Sequence, residues 1–282
     1  MLRRGLVLLC ICGSLLMTAG CATLPKLIPI HESEASRVRR EFQTLLNDQR
    51  HCPPAMDADV SVSMDNLLWT GTLSGYLRAM APAYLRFEGV NPLGLTEAIF
   101  AVDGQNFTYL SVREQKAYSG PLTAKLLSRY TPHGLATAMN YYWLLGRIPP
   151  GPVRIGEIGL DAEGHGYWLD LRDGTNGRWS RVLFNPGEHL VKRYLVLNED
   201  RAAIDADLTF EYPPPRPTSA GGGQGTSGSP PALCPMPDRI TISRPGNGRL
   251  ELGFNKRYPL PTLDRTPFRI TPPAAYQRIV VQ

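Results

Sequence analysis

The stretch Val90-Asn91-Pro92-Leu93-Gly94-Leu95-Thr96-Glu97 decides how the rest of the chain is read. It lies between two runs with a period of two, residues 84–90 and 96–102, so it reads as the turn of a β-hairpin. Pro92 fixes its own φ and Gly94 can supply a positive φ, both ordinary requirements of a tight turn. The apolar side chains are the unusual part. Val90, Leu93 and Leu95 stand where a soluble turn carries polar groups. The turn either folds back onto a core or presents a greasy tip to something outside the domain.

The flanking sequence repeats the period of two. Residues 60–64, 68–80 and 107–112 alternate, and Asp103-Gly104 is a hairpin signal between two such runs. Connections this short specify antiparallel neighbours. Residues 122–130 and 135–145 carry apolar residues at helical spacing, and Gly146 and Pro149-Pro150 stop the second. Strand patterns resume at 167–171, 179–184, 190–197, 204–212, 239–243 and 249–258. Ahead of them all, residues 33–49 place Ala35, Val38, Phe42, Leu45 and Leu46 three and four apart, an amphipathic helix. Residues 213–231 are proline, glycine and serine with almost no apolar content, a disordered loop within the domain. The expected fold is mainly β (α+β). Residues 33–282 form a single incomplete antiparallel barrel of about eleven strands, with helices plugging an apolar interior, because so wide a sheet must curl.

The amino terminus reads as a secretion signal. Arg3 and Arg4 precede an uncharged apolar run over residues 5–17, shorter than the roughly 20 residues a membrane-spanning helix needs. Residues 1–20 end in Thr18-Ala19-Gly20, followed by Cys21, which resembles a bacterial lipobox with Thr18 in place of the usual leucine. Cys21 is then the acylated first residue of the mature chain, and residues 21–32 are its tether; the alternative is a plain signal peptide with an incidental cysteine. Several acyl chains suffice for stable anchoring. Ala22 rather than an aspartate follows, which points to the outer membrane, periplasmic face.

Loss of Arg3 and Arg4 with the signal takes the formal charge from +5 to +3. That is too small and too scattered a bias for nucleic acid. Cys10 and Cys12 leave with the signal, so Cys52 and Cys234 remain. In an oxidising periplasm this pair suggests one disulfide, with two free thiols or a metal pair as alternatives. The five histidines, His31, His51, His133, His165 and His189, lack metal-ligand spacing, and neither a nucleophile elbow nor a phosphate loop is present. Asp170, Asp173 and Glu163 read as solvated charges, and Trp168 and Trp179 as core or barrel-lining residues rather than a sugar platform. No metal or cofactor is expected, and nothing points to an enzyme.

Asn91-Pro92-Leu93-Gly94-Leu95-Thr96-Glu97 after a strand resembles the outer-membrane lipoprotein receptor family LolB. Trp143-Leu144-Leu145-Gly146-Arg147-Ile148-Pro149 is similar to that family's Trp-x-Leu-Gly-x-Pro helix end, with one extra residue. The resemblance implies a half-barrel shared with the periplasmic carrier LolA, and a receptor that takes lipoprotein cargo from that carrier and passes it to outer-membrane lipid. It implies that Leu93 projects as a membrane-contact residue, with Val90 and Leu95 widening the tip. The cavity-lining candidates are Leu85 and Phe87, which share one strand face, then Phe100, Phe107 and Trp143. A monomer is expected. The competing reading is an envelope structural or assembly lipoprotein of the same fold with a filled core. Mass spectrometry of the protein taken from its own envelope should find a mature chain starting at an acylated Cys21; an unmodified Cys21 would contradict the lipobox.

Overall fold

The computed structural model describes residues 24–65, 70–123, 141–214, 234–243 and 248–281. Two meanders follow one another along the chain. The first runs through β2 (Ala55–Asp65), β3 (Thr70–Met80), β4 (Tyr84–Val90), β5 (Thr96–Asp103), β6 (Asn106–Ser111) and β7 (Lys116–Pro121). The second comprises β8 (Val153–Asp161), β9 (Tyr167–Asp173), β10 (Trp179–Asn185), β11 (Leu190–Leu197), β12 (Ile204–Glu211), β13 (Arg239–Ser243) and β14 (Arg249–Leu260). Their ends meet where β14 pairs antiparallel with β2, from Arg249 opposite Asp65 to Leu260 opposite Ala55. A short β1 (Leu27–Pro29) joins the edge of β8, and β15 (Gln277–Val280) joins β7 in parallel. All fifteen strands therefore form one sheet.

This corrects the expectation of about eleven antiparallel strands in a barrel. The sheet is open, since β1 and β15 are its two edges, and the β7–β15 pair is parallel. The four additional strands are short or interrupted. β1 contains Pro29, β7 is Lys-Ala-Tyr-Ser-Gly-Pro, and β8 carries Gly156, Gly159 and a register shift between Ile155 and Ile158.

Alternation along the strands divides apolar residues between two faces. The inner face bears α1 (Glu32–Gln49), whose Ala35, Val38, Phe42 and Leu45 are buried as the helical spacing predicts. Phe42 meets Phe184 edge-on at 5.3 Å, an arrangement favoured by the ring quadrupoles. Leu169, Leu171, Val182, Ala206, Leu208, Ile240, Ile242 and Leu252 complete this core from beneath.

The outer face of β9–β12 holds a second cluster, Trp168, Leu183, Leu195, Leu197 and Ile204, and Leu24 and Leu27 pack on it. Arg181 makes a two-pronged ion pair with the buried Asp170, 2.6 and 3.2 Å, and its remaining nitrogen donates to the Pro25 carbonyl at 2.8 Å. The predicted tether is thus built into the sheet from Leu24 onward. Asp170 is not a solvated charge. On the other half of the outer face, Phe268 from a one-turn 3-10 helix (Thr266–Phe268) is buried with Ala55 and Met80.

The predicted helices over 122–130 and 135–145 lie mostly outside the described residues; the described Tyr141–Leu145 is a 3-10 turn. Residues 1–20, Cys21 and all of the predicted 213–231 loop except Pro213 and Pro214 also lie outside them. Among the described residues no helix is long and apolar enough to cross a membrane. Cys52 and Cys234 are bridged, with Cα atoms 5.6 Å apart across a separation of 182 residues. The bridge ties the exit of α1 to the strand-13 approach. Replacing both cysteines by serine should lower the unfolding free energy by about 2–5 kcal/mol, since so long a loop is left unconstrained when unfolded; a urea melt with an unchanged midpoint would show that the bridge adds no stability.

Candidate functional site: an apolar tip and a rim cavity

The β4–β5 turn projects. Leu93 is 84% and Leu95 63% exposed, among the largest exposures of any apolar side chain described. Their backbone is nevertheless firmly held. The Asn91 side-chain oxygen accepts from the amides of Leu93 and Leu95, both at 3.0 Å. The Asn91 amide donates to the Leu95 carbonyl at 2.9 Å, and Gly94 donates back to Asn91 at 2.8 Å. Gly94 has φ +78°, so a side chain there would be strained although space is open. Val90 differs from the sequence expectation. It is partly buried and paired with Ser74 and Thr96, so it belongs to the strand and not to the tip.

Strand directions alternate without a break from β8 across to β7, by way of the β14–β2 pair. The β4–β5, β9–β10 and β11–β12 turns consequently open at the same rim. The cavity-lining candidates sit on the inner face. Leu85, Phe87 and Phe100 are partly buried there; Leu85 stands opposite Ala79 and Val102, and Phe87 opposite Leu77 and Phe100. Phe107 is fully buried with Val102 and Val281, and its ring stacks with Phe100 at 6.3 Å. These four therefore form one apolar strip over β3–β6, whereas Trp143 lies on the far half of the sheet, over β10–β12.

Trp143 belongs to the 3-10 turn that the sequence reads as a helix end. Gly146 stops the turn with φ +64°, and a Cβ there would stand 2.2 Å from the Tyr212 hydroxyl. Tyr212 donates its hydroxyl to the Val191 carbonyl at 3.1 Å. The Ile148 amide donates to Gln49 at 3.1 Å and Arg147 donates to the Pro53 carbonyl at 3.3 Å, locking the turn to the end of α1. Beside it is a cavity of about 130 Å³, lined by Trp143, Arg147, Arg178, Tyr194, Val196 and Leu208 among others. A second, about 160 Å³, lies across Pro149 between Tyr142, Leu46 and Val153. Burial holds the Tyr194 phenol above its ordinary range, so it stays a donor. Trp143 is 7% exposed, and its Nε1 is a buried side-chain nitrogen without a hydrogen-bond partner. Nothing in the sequence marks this, because the cavity walls come from four separate stretches of chain.

Asp161, Glu163 and His165 bring their ligand atoms within 4.8 Å of one another. Asp161 is already committed, accepting from Trp168 Nε1 at 2.7 Å and from the amides of Glu163 and His165 at 3.2 Å. It staples the β8–β9 turn. Asp173 does the same for the next turn, accepting from the Thr175 amide at 2.7 Å.

No protein-family model matches the chain, and no curated protein matches its sequence. Solved structures do match. A domain from Vibrio parahaemolyticus described as an outer membrane lipoprotein-sorting protein is 10% identical, with a TM-score of 0.52 over 81% of this chain and 94% of its own. A LolA superfamily protein from Nitrosomonas europaea is 9% identical, with a TM-score of 0.51 over 81% and 97%. The fold is LolA-like. A DUF1329 family protein from Desulfovibrio piger shares it, at 8% identity and a TM-score of 0.54 over 82% and 97%. Within this LolA-like fold, the tip depends on Asn91 for its shape. Asn91→Ala should speed amide exchange at Leu93 and Leu95 by about tenfold while leaving the sheet intact, the effect of losing two modest hydrogen bonds; unchanged exchange would mean that Asn91 does not hold the turn.

Proposed function

We propose that this chain is an envelope lipoprotein, anchored through Cys21 to the outer membrane, that binds acyl chains and delivers lipoprotein cargo from a periplasmic carrier into the bilayer. The single observation that carries the reading is the tip. Two leucines stand in solvent on a turn whose backbone is fixed by Asn91. Rigidly exposed apolar groups mark contact with an apolar partner. The LolA-like fold supports the same reading, and one of its neighbours carries a lipoprotein-sorting description. The inner strip of Leu85, Phe87, Phe100 and Phe107 offers the acyl-binding surface. Transfer of this kind makes and breaks no covalent bond, so in this reading the chain acts as a receptor without catalytic chemistry. Its direction follows from relative burial, at about 0.8 kcal/mol per methylene.

A second reading has its own support. The inner core beneath α1 is well filled, and the two cavities beside the 3-10 turn are about 130 and 160 Å³, each too small for a long acyl chain. This favours an envelope assembly lipoprotein that binds a partner and no lipid. Leu93→Glu separates the two. Under the transfer reading the variant folds and accepts acylated cargo, but its delivery to phospholipid vesicles slows about tenfold or more, because burial of one leucine is worth about 1.5–3 kcal/mol. Delivery at the unaltered rate would remove the tip from the mechanism.

A further inference from the structure

Like charges directly opposite each other on a sheet repel, and a counter-charge between them relieves the cost. Arg154 and Arg172 are such a pair, register partners on β8 and β9. Arg172 in turn stands opposite Trp179 on β10 and lays its guanidinium over the indole, 5.5 Å from the ring centre. Trp179 packs on the outer cluster, so this row lies on the outer face. A third arginine comes from the β11–β12 turn, where Arg201 stacks on the same indole at 4.4 Å. The turn holds it there. Arg201 has φ +57°, a left-handed conformation that residues with side chains rarely adopt. Its amide donates to the Asn198 carbonyl at 3.0 Å, and the amides of Ala202 and Ala203 donate to the Asn198 side-chain oxygen at 2.9 and 3.1 Å.

The three guanidiniums lack an acid partner. Among the described residues, the side chains of Arg154, Arg172 and Arg201 form neither a hydrogen bond nor an ion pair. The nearest acids are engaged elsewhere or stand apart. Asp170 is paired with Arg181, and Asp173 accepts from the amides of its own turn. Glu157, Glu199, Asp200 and Asp205 make no ion pair with any of the three.

We infer that Arg154, Arg172 and Arg201, gathered around Trp179, bind the phosphate headgroups of anionic phospholipids at the bilayer surface. A guanidinium pairs with phosphate through two parallel hydrogen bonds, and an indole suits the membrane interface. Two placements favour a lipid as the source of the phosphate. Unbroken alternation of strand direction sets the patch on the rim that carries the Leu93 tip. Pro25, four residues after the proposed anchor Cys21, is bonded to Arg181, which lies two residues from Trp179 on the same strand face. This rests on the membrane-anchored reading above and adds the headgroup chemistry to it: the tip meets the apolar layer and the arginines meet the phosphates.

The test places the full chain, purified with its acyl anchor, in nanodiscs of phosphatidylcholine alone or mixed with phosphatidylglycerol. Each disc contains a lipid spin-labelled at its headgroup. Attachment through the anchor is the same in both, so the discs differ only in surface charge. The Trp179 indole N–H resonance should broaden more strongly in the anionic discs, and the excess should fall as salt rises. Arg154→Gln, at a position that touches no ring, should cut the excess about fivefold, the value of one arginine at an anionic surface, and Arg172→Gln combined with Arg201→Gln should cut it further. The Leu93 amide reports the tip in the same spectra. Broadening at Leu93 without broadening at Trp179 would overturn the patch and leave the tip reading intact, as would Trp179 broadening that is equal in the two discs or unchanged in the variants. Broadening at neither residue would overturn the patch and the tip together. A Trp179 resonance that inorganic phosphate shifts in the neutral discs, with no excess broadening in the anionic ones, would make this a free-anion site and overturn the lipid as its ligand.

Discussion

The antiparallel ladder between β2 and β14 is the constraint on which the rest of the molecule depends. Each meander is local, built from hairpins and short turns, and either could form a sheet by itself. The β2–β14 pairing fuses them into one surface from Arg249–Asp65 to Leu260–Ala55. It sets alternate residues of fourteen antiparallel strands on a common inner face, and a slip of one residue would turn half of them outward. Leu77, Val60, Leu252 and Ile242 then lie in a continuous apolar row that α1 can cover. The Cys52–Cys234 bridge reinforces the same join, because it links the segment entering β2 to the segment entering β13.

The functional geometry follows from that join. Unbroken alternation of strand direction across it puts the Leu93 turn and the Trp143 cavity at one rim, although six strands separate β4 from β10. The two features are complementary in chemistry. The tip is apolar and exposed on a hydrogen-bonded turn; the cavity is small and lined by Trp143, Arg147, Arg178 and Tyr194. The amino-terminal segment fits the same arrangement. Leu24 is packed on the outer cluster and Pro25 is held by Arg181, so two residues, Ala22 and Thr23, separate the proposed lipid on Cys21 from the folded domain.

Local features were legible in the sequence and tertiary ones were not. The period of two marked β4 from Tyr84 to Val90 with its true bounds, and the apolar spacing of α1 named the residues that are buried. Leu85 and Phe87 were correctly placed on one face because alternation alone determines it. The strands that escaped, β1, β7, β8 and β15, are those whose pattern is broken by Pro29, Ser119-Gly120, Gly156 and Gly159, or whose partner is distant in the chain. Asp170 looked like a surface charge because Arg181, its partner, is eleven residues away on the next strand. Trp143 was named as a cavity residue, yet its unpaired nitrogen depends on walls contributed by β10, β11 and β12, which no local pattern reports. Val90 was grouped with the leucines by composition, and the hairpin register separates it from them.

The central claim is that the inner face accepts acyl chains. The most direct measurement is to incubate the purified protein with a periplasmic carrier loaded with a triacylated lipoprotein, and to follow the lipoprotein between the two by size and by crosslinking. The account predicts that the lipoprotein moves to this chain, and that an unacylated form of the same cargo does not. Cargo that stays on the carrier, or an unacylated form that moves equally well, would contradict it.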